Sequence, residues 1–491
     1  MSLARALRVE RGAVVSFVGG GGKTTSMFRL ATELSAAGFR IVSTTTTHIS
    51  KEQVHFAPAS ITLDEIDLLE SRLDQHKHCL VIGPPDGKGR IFGASSELID
   101  ALHARADVDV VLVEADGSRS LPFKAPGRHE PVVPKATTIL APVAGMNALG
   151  QPLDEAHIHR AEIVAALAQQ SLGSPITANT LARVLSHPEG GAKHCPDGAR
   201  LVPILNKTDT DAAMLQAGEA ARALLANATI DAVVLSSMQQ APPVREAWSH
   251  TAGIVLAAGK STRYGAAKQA LPWNGETLTA HAARIALDAG LDPVIVVLGY
   301  QAESVEKSLS GLPVHPVFNS GFEAGQSTSL LKGLEALPAR TGAAVFLLAD
   351  QPLITAAILR TIVQAHRQSF APACVPVFEG RRGNPVLFDK ALFRELKEMR
   401  GDTGGRELLD KYARAVVAVP SDYAVLRDID TPEEYEEQKS EVRIQESEFR
   451  IQESEFRIQE SEFRSQESEV NNQKSAVRNQ DSGVRVQKPE A

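Results

Sequence analysis

Ile254-Val-Leu-Ala257-Ala258-Gly259-Lys260-Ser261-Thr262-Arg263-Tyr264-Gly265-Ala-Ala-Lys268 is the stretch that decides how the second half of this chain is read. It starts as a short apolar run, Gly253–Ala257, and breaks at once into a glycine-containing loop, as a buried parallel strand does before a ligand-holding turn. The loop supplies backbone N–H groups for a triphosphate, and Arg263 and Lys268 supply cations for the charge that develops when its α-phosphorus is attacked. Such an attack brings two anions together and calls for a divalent metal. Val345-Phe-Leu-Leu-Ala349 is a second apolar run, and Asp350 ends it, where open α/β sheets place their ligands. A lone strand-end Asp is as readily a helix cap. With the glycine loop in the same half, metal binding is the expected role.

Similar runs recur through the first 435 residues, at Ala13–Val18, Arg40–Ser43, Val108–Val113, Leu201–Leu205, Pro293–Leu298 and Ala343–Leu348, with amphipathic segments between them. This alternation predicts α/β layers. At 491 residues the chain exceeds one ordinary core. The expected division is 1–240, a linker at 241–252 around Pro242-Pro243, a second domain at 253–439 and a tail at 440–491. The tail repeats a seven-residue unit from Ile444 to Arg450, Ile451 to Arg457 and Ile458 to Arg464. Its apolar positions are two and five apart, not three and four, so a coiled coil is not expected; a disordered or fraying tail is, with an interaction helix as the other reading.

Val14-Val-Ser-Phe-Val18 leads into Gly19-Gly20-Gly21-Gly22-Lys23-Thr24-Thr25, followed by a helical pattern. Strand, glycine turn and helix N-terminus make a phosphate cradle, with Lys23 as the charge and Thr24 as a magnesium-side hydroxyl. Phe17 stands where the usual spacing has glycine, so the loop is a variant of the P-loop. Glu114 and Asp116, after the Val108–Val113 run, are expected to hold magnesium or to position water. Asn206-Lys207-Thr208-Asp209 has the form of a guanine-recognition motif, which favours GTP over ATP. Thr44 to Thr47 with His48 reads either as a switch loop or as a β-rich edge.

The charge balance, 51 − 59 = −8, argues against general nucleic-acid binding. Cys79, Cys195 and Cys374 have no paired spacing, which points to a reducing cytoplasm rather than to disulfides or zinc. The apolar stretch Ala13 to Val18 is too short for a signal or a membrane span, so no membrane association is expected.

Taken together, the second-half motifs resemble the molybdenum-cofactor cytidylyltransferase family, which has a glycosyltransferase-A-like nucleotidyltransferase fold. The carriers are Leu256 to Lys268, Asn319 to Ser329, Gly380 to Phe388, Gly401 to Arg406, and Asp428-Ile-Asp430-Thr-Pro432-Glu-Glu-Tyr435. The resemblance implies that molybdenum cofactor and CTP are substrates, that Mg2+ is the metal, and that the cofactor's terminal phosphate displaces pyrophosphate from CTP. By the same resemblance Leu256, Ala257, Ala258, Gly259, Ser261 and Gly265 contact the nucleotide. Arg263, Lys268 and Asp350 are catalytic, and Asp430 is a second metal ligand, with Asp428 competing for that role. Asn319, Ser327, Arg382, Asn384, Asp402 and Arg406 serve the acceptor. Tyr264 and Gln326 depart from the family's usual residues, and Ala258 favours CTP over GTP.

The first half, Gly12 to Gln240, resembles the selenium-dependent hydroxylase accessory family through its glycine loop, Thr44 to His48, Glu114 to Arg119 and Lys124-Ala-Pro126. That implies a role in molybdenum hydroxylase maturation, with an apo-hydroxylase of the xanthine dehydrogenase class as partner. Two other readings stay open. One is an enzyme of the same fold using GTP or another phosphate acceptor. The other is a chaperone scaffold whose first half binds nucleotide without turnover.

Overall fold

The computed structural model describes residues 1–87, 89–260, 264, 267–399 and 405–444. Ser261, Arg263, Gly265, Asp402 and nearly all of the heptad repeat lie outside the described residues.

The first half is built on one sheet. Its path runs Val244–Ser249, Ala232–Ser236, Ile204–Asn206, Ile139–Gly145, Ala13–Gly19, Val110–Glu114, Ile41–Thr45, His78–Ile82 and Ser60–Thr62. All neighbours are parallel except the first pair. Val14, Val15 and Phe17 are buried because helices cover both faces, which is why these strands read as continuous apolar runs rather than as alternation. Thr44 and Thr45 are inside a central strand, with Thr44 Oγ1 donating to Val81 O at 2.8 Å, so they are core rather than switch. His48 begins a separate two-stranded ribbon with Arg90–Phe92.

The second sheet runs His315–Phe318, Val294–Leu298, Thr251–Ala257, Ala343–Leu348, Val386–Asp389, Ala373–Phe378 and Arg381–Arg382, with Val417–Pro420 beside Ala373–Phe378. Its first four strands are parallel, and Val386–Asp389 runs antiparallel to Ala343–Leu348. The carboxyl ends of Thr251–Ala257 and Ala343–Leu348 therefore lie side by side, placing Ala258-Gly259 next to Asp350.

The expected linker is corrected. Val244–Ser249 is an edge strand of the first sheet, and only His250 separates it from the first strand of the second. The stretch is hard to read because Arg245 and Glu246 interrupt an edge strand with only one paired side. Glu246 accepts from Trp248 Nε1 at 2.7 Å and from Gln364 Nε2 at 2.6 Å, and the Arg367 guanidinium lies 3.6 Å over the Trp248 ring. The segment is thus a packed joint between the halves. The second boundary also moves, since helix 432–444 runs past residue 439.

Candidate functional sites

Two clefts open at the carboxyl ends of the two sheets. In the second half the loop after Ala257 is pinned by Gln269 Nε2, which donates to Gly259 O at 2.6 Å, while Ala258 O accepts from Tyr300 N at 3.2 Å. Leu256, Ala258, Gly259 and Asp350 line the cleft, joined by Gln326 and by Lys260, Glu323 and Ser329, motif-stretch residues to which no role was assigned.

Lys268 is the centre of charge. Its buried Nζ donates to Asp350 Oδ2 at 3.0 Å, Asp430 Oδ1 at 2.9 Å and Ile429 O at 2.5 Å. Burial opposes its charge, but Asp350 and Asp430 outweigh it and hold the ammonium above its ordinary pKa. Asp428 is pushed up, first by burial and then by Asp350 and Asp430. Three segments far apart in sequence are held together here. Ile429 N donates to Asp350 O at 2.9 Å, and Glu434 Oε2 accepts from Asp430 N and Thr431 N at 2.7 and 2.9 Å. Tyr435 Oη donates to Pro272 O, so the closing signature folds back over the Lys268 loop.

Two carboxylates and a carbonyl converging on one ammonium form a hard oxygen set that fits a magnesium ion completed by substrate phosphates. Among the described residues no group of three or more acidic, histidine or cysteine side chains forms a closed metal cage.

Asn319 is held within its own loop. It is 2% exposed, and its amide donates to Thr328 Oγ1 at 2.9 Å and Ser329 Oγ at 3.1 Å while its oxygen accepts from Gly321 N at 3.0 Å. It shapes the 319–329 loop through these bonds. Ser327 is buried and outside the cleft lining; Gln326 and Ser329 face the cleft instead. Arg382 and Arg406 are exposed and also outside the lining. Arg382 Nη1 donates to Asp410 Oδ1 at 2.8 Å, tying it to the helix Arg406–Lys411. Asn384 precedes the strand in which Val386 opposes Phe346, so it lies at the Asp350 end of the sheet. Sequence motifs could name these residues but not their partners.

In the first half the glycine loop connects Ala13–Gly19 to the helix Lys23–Ala36. Three of its N–H groups are already engaged, Gly19 with Asp116, Gly20 with Val143 O at 2.9 Å and Gly21 with Leu121 O at 3.1 Å. The N–H groups free for a phosphate therefore begin at Gly22 and the first turn of the helix, whose donors have no intrahelical acceptor. Lys23 Nζ is buried, 2.7 Å from Gly19 O, 3.3 Å from Asp116 and 3.6 Å from Glu114. Thr24 Oγ1 donates to Glu114 Oε2 at 2.7 Å. Burial raises the Glu114 carboxyl despite Lys23.

Asp116 anchors the glycine loop. It is 1% exposed, and its oxygens are taken by Gly19 N, Lys23 and Lys124, the last at 3.0 Å. Lys124 also donates to Gly117 O and Glu130 at 2.6 Å each, which explains the Lys124-Ala-Pro126 motif as a clamp on the 114–119 turn. Burial alone would raise Glu130, but Arg160 and Lys124 hold it at about 2.

Asn206 Nδ2 donates to Gly21 O at 2.9 Å and its Oδ1 accepts from Met238 N at 3.1 Å. It therefore braces the loop, while Lys207 and Asp209 line the cleft with Thr24, Thr25 and Glu114. His48, from the Thr44 to His48 motif, lines it as well, with Gln53 and Arg90 from segments with no motif. Gly21 has φ +79°, and a Cβ there would lie 2.2 Å from Gly145 N and 2.6 Å from Pro122 O. Gly21→Ala is therefore expected to cost at least about 2 kcal/mol and to displace the loop. A thermal melt together with nucleotide binding checks this, and a variant that melts like wild type and binds normally contradicts it.

Open α/β sheets with loop, cation and carboxylate at the carboxyl ends of adjacent strands define a nucleotide-handling class of protein. Comparison with known proteins makes the class specific. Residues 15–162 match the YqeC protein family and residues 253–416 match the MobA-like NTP transferase domain. The uncharacterized protein YqeC of Escherichia coli K12 is 32% identical over 235 residues, covering 48% of this chain and 91% of that protein. The purine catabolism protein PucB of Bacillus subtilis is 36% identical over 196 residues, covering 38% of this chain and 93% of that protein. Rv0371c of Mycobacterium tuberculosis, a solved structure, is 29% identical over 39% of this chain and 98% of its own, with a TM-score of 0.36. The chain belongs to the YqeC family through its first half and to the MobA-like NTP transferase family through its second, which is a nucleotidyltransferase. No helix among the described residues is long and apolar enough to cross a membrane.

Proposed function

We propose that the second half transfers CMP from CTP to the terminal phosphate of molybdenum cofactor. A phosphate oxygen of the acceptor attacks the α-phosphorus of CTP; the new O–P bond forms as the bridging bond to the β-phosphate breaks. Pyrophosphate leaves with that electron pair, and no proton has to move. The observation that carries this reading is Lys268 held between Asp350 and Asp430 beside the Ala258-Gly259 loop. Asp350 and Asp430 would hold Mg2+, which supplies charge neutralisation when bound. Lys268 balances the anionic charge of the triphosphate, and Arg263 is its expected companion. Ala258-Gly259 lets the main chain approach the nucleotide's phosphates closely. Arg382, Asn384 and Arg406, at the same end of the sheet, are assigned to the acceptor.

In this proposal the first half is a P-loop module that binds GTP in preference to ATP, with Lys23 on the phosphates, Thr24 and Glu114 on the metal side, and Asp209 on the base. It serves delivery of the finished cofactor to an apo-hydroxylase of the xanthine dehydrogenase class. The name of the Bacillus subtilis relative, a purine catabolism protein, is in keeping with such a partner. Pyrophosphate release by the full chain with Mg2+ and molybdenum cofactor, offered CTP, GTP or ATP, tests the first assignment. Release with GTP alone, or with none, refutes it. For the first half, Lys23→Ala is expected to weaken GTP binding about 10–100-fold, the worth of a charge-assisted contact. Unchanged affinity in a direct titration would remove Lys23 from the phosphate site.

A further inference from the structure

A third cavity, of about 500 Å³, lies between the halves at the opposite ends of the strands. Gly12 and Ala13 border it, whereas the glycine loop begins at Gly19, so the cavity and the first-half cleft are about 20 Å apart along the strand. Arg200 comes from the first half; Arg340 and Lys390 come from the second. Arg8 and Arg11 are also present, but Asp389 and Asp109 neutralise them. Arg200, Arg340 and Lys390 form no ion pair within 4 Å among the described residues, although Asp231 lies near enough to act on Arg200 and Lys390. Arg200 Nη1 donates only to Leu7 O at 2.8 Å, Lys390 Nζ only to Ala339 O at 2.5 Å, and Arg340 to nothing. Two carboxylates, Glu10 and Asp231, share the lining, and Asp231 is engaged by Leu201 N at 2.9 Å. Ser249 adds an independent sign. It lines the cavity at 7% exposure, and its Oγ has no hydrogen-bond partner. A buried hydroxyl without a partner is costly unless a ligand satisfies it.

We propose that this cavity binds a small phosphorylated anion, with Arg200, Arg340 and Lys390 as cationic donors and Ser249 as hydroxyl donor. The site is separate from both clefts, and because both halves contribute, its occupant clamps them together. Burial and the neighbouring Arg8 lower Arg200 against the pull of Asp231 and Glu10, and burial with Arg8 and Arg200 lowers Lys390 against that of Asp231 and Asp389; an anion relieves both.

The test is calorimetric titration of the full chain at low salt with inorganic pyrophosphate and, separately, with CTP. The Lys23→Ala/Lys268→Ala variant, crippled in both clefts, is expected to retain one binding event for at least one of the two probes. Adding Arg340→Gln should weaken that event at least tenfold, and because Arg340 has no partner to lose, the fold is preserved. Arg200→Gln should do the same, with a thermal melt to confirm folding. Tighter binding of CTP identifies a nucleotide as the occupant, and tighter binding of pyrophosphate a free phosphate anion; either supports the site. No residual event with either probe, or one that both substitutions leave unchanged, overturns it.

Discussion

Asp350→Ala is expected to reduce CTP-dependent pyrophosphate release by about 10²–10³-fold, the usual cost of deleting one preorganised electrostatic group at a reacting centre. The backbone should survive, because the bond that ties the closing segment to this strand runs from Ile429 N to the carbonyl, not the side chain, of Asp350. A variant that folds but does not turn over is therefore the expected outcome. Activity within threefold of wild type would remove Asp350 from the reaction. Lys268→Met gives a second readout of the same site. With the ammonium gone, Asp350, Asp428 and Asp430 face one another without a counter-charge, so the apo-protein should melt lower. Added Mg2+ should raise its melting point more than it raises that of wild type, because a divalent cation takes the place of the lost charge. No difference in the response to Mg2+ would mean that the carboxylates do not share a cation site.

The parts of the fold that the sequence made plain are those where one physical signal dominates. Val14–Val18 and Ile254–Ala257 are continuous apolar runs ending in glycines, and both are central strands leading into cleft loops. The strand Ile139–Gly145 was not legible in the same way. It lies beside Ala13–Gly19 at the middle of the sheet, yet it carries Pro142, paired with Val18, where a missing N–H argues against a central strand. Position at a strand end was also legible, but side-chain commitment was not. Glu114 and Asp116 are two residues apart with the same charge. One faces Thr24 and the cleft, while the other is consumed by Gly19, Lys23 and Lys124. Lys124 lies eight positions beyond Asp116, across an irregular turn whose path no periodicity predicts. Asn319 is the same case, a motif residue whose side-chain amide is bonded within its own loop.

The largest stability effect is expected where the halves join. Asp389 is 2% exposed; it accepts from Arg8 Nη1 and Nη2 at 2.5 and 2.7 Å, pairs with His366 Nε2 at 2.9 Å and accepts from Ala391 N at 2.9 Å. Arg8 comes from the first half and stacks on Phe370 of the second, 4.4 Å from the ring centroid. Removing the carboxylate leaves a half-buried guanidinium with only the Gly342 carbonyl at 3.2 Å and a buried imidazole with no counter-charge, so Asp389→Ala should cost about 3 kcal/mol. Chemical denaturation is expected to show one coupled transition for wild type and two for the variant. Acid provides an internal check. Burial alone would raise Asp389, but His366 and Arg8 bring its pKa down from 3.8 to about 2. Because the folded value is the lower one, its contribution is complete above 3.8 and is lost as pH falls through about 2. At about 1.4 kcal/mol per tenfold change, the difference is worth roughly 2 kcal/mol. The stability gap between wild type and Asp389→Asn should accordingly narrow as the pH falls from 3.8 to 2. A gap that stays constant down to pH 2 would mean that the Arg8–Asp389 pair contributes nothing that depends on the carboxylate's charge.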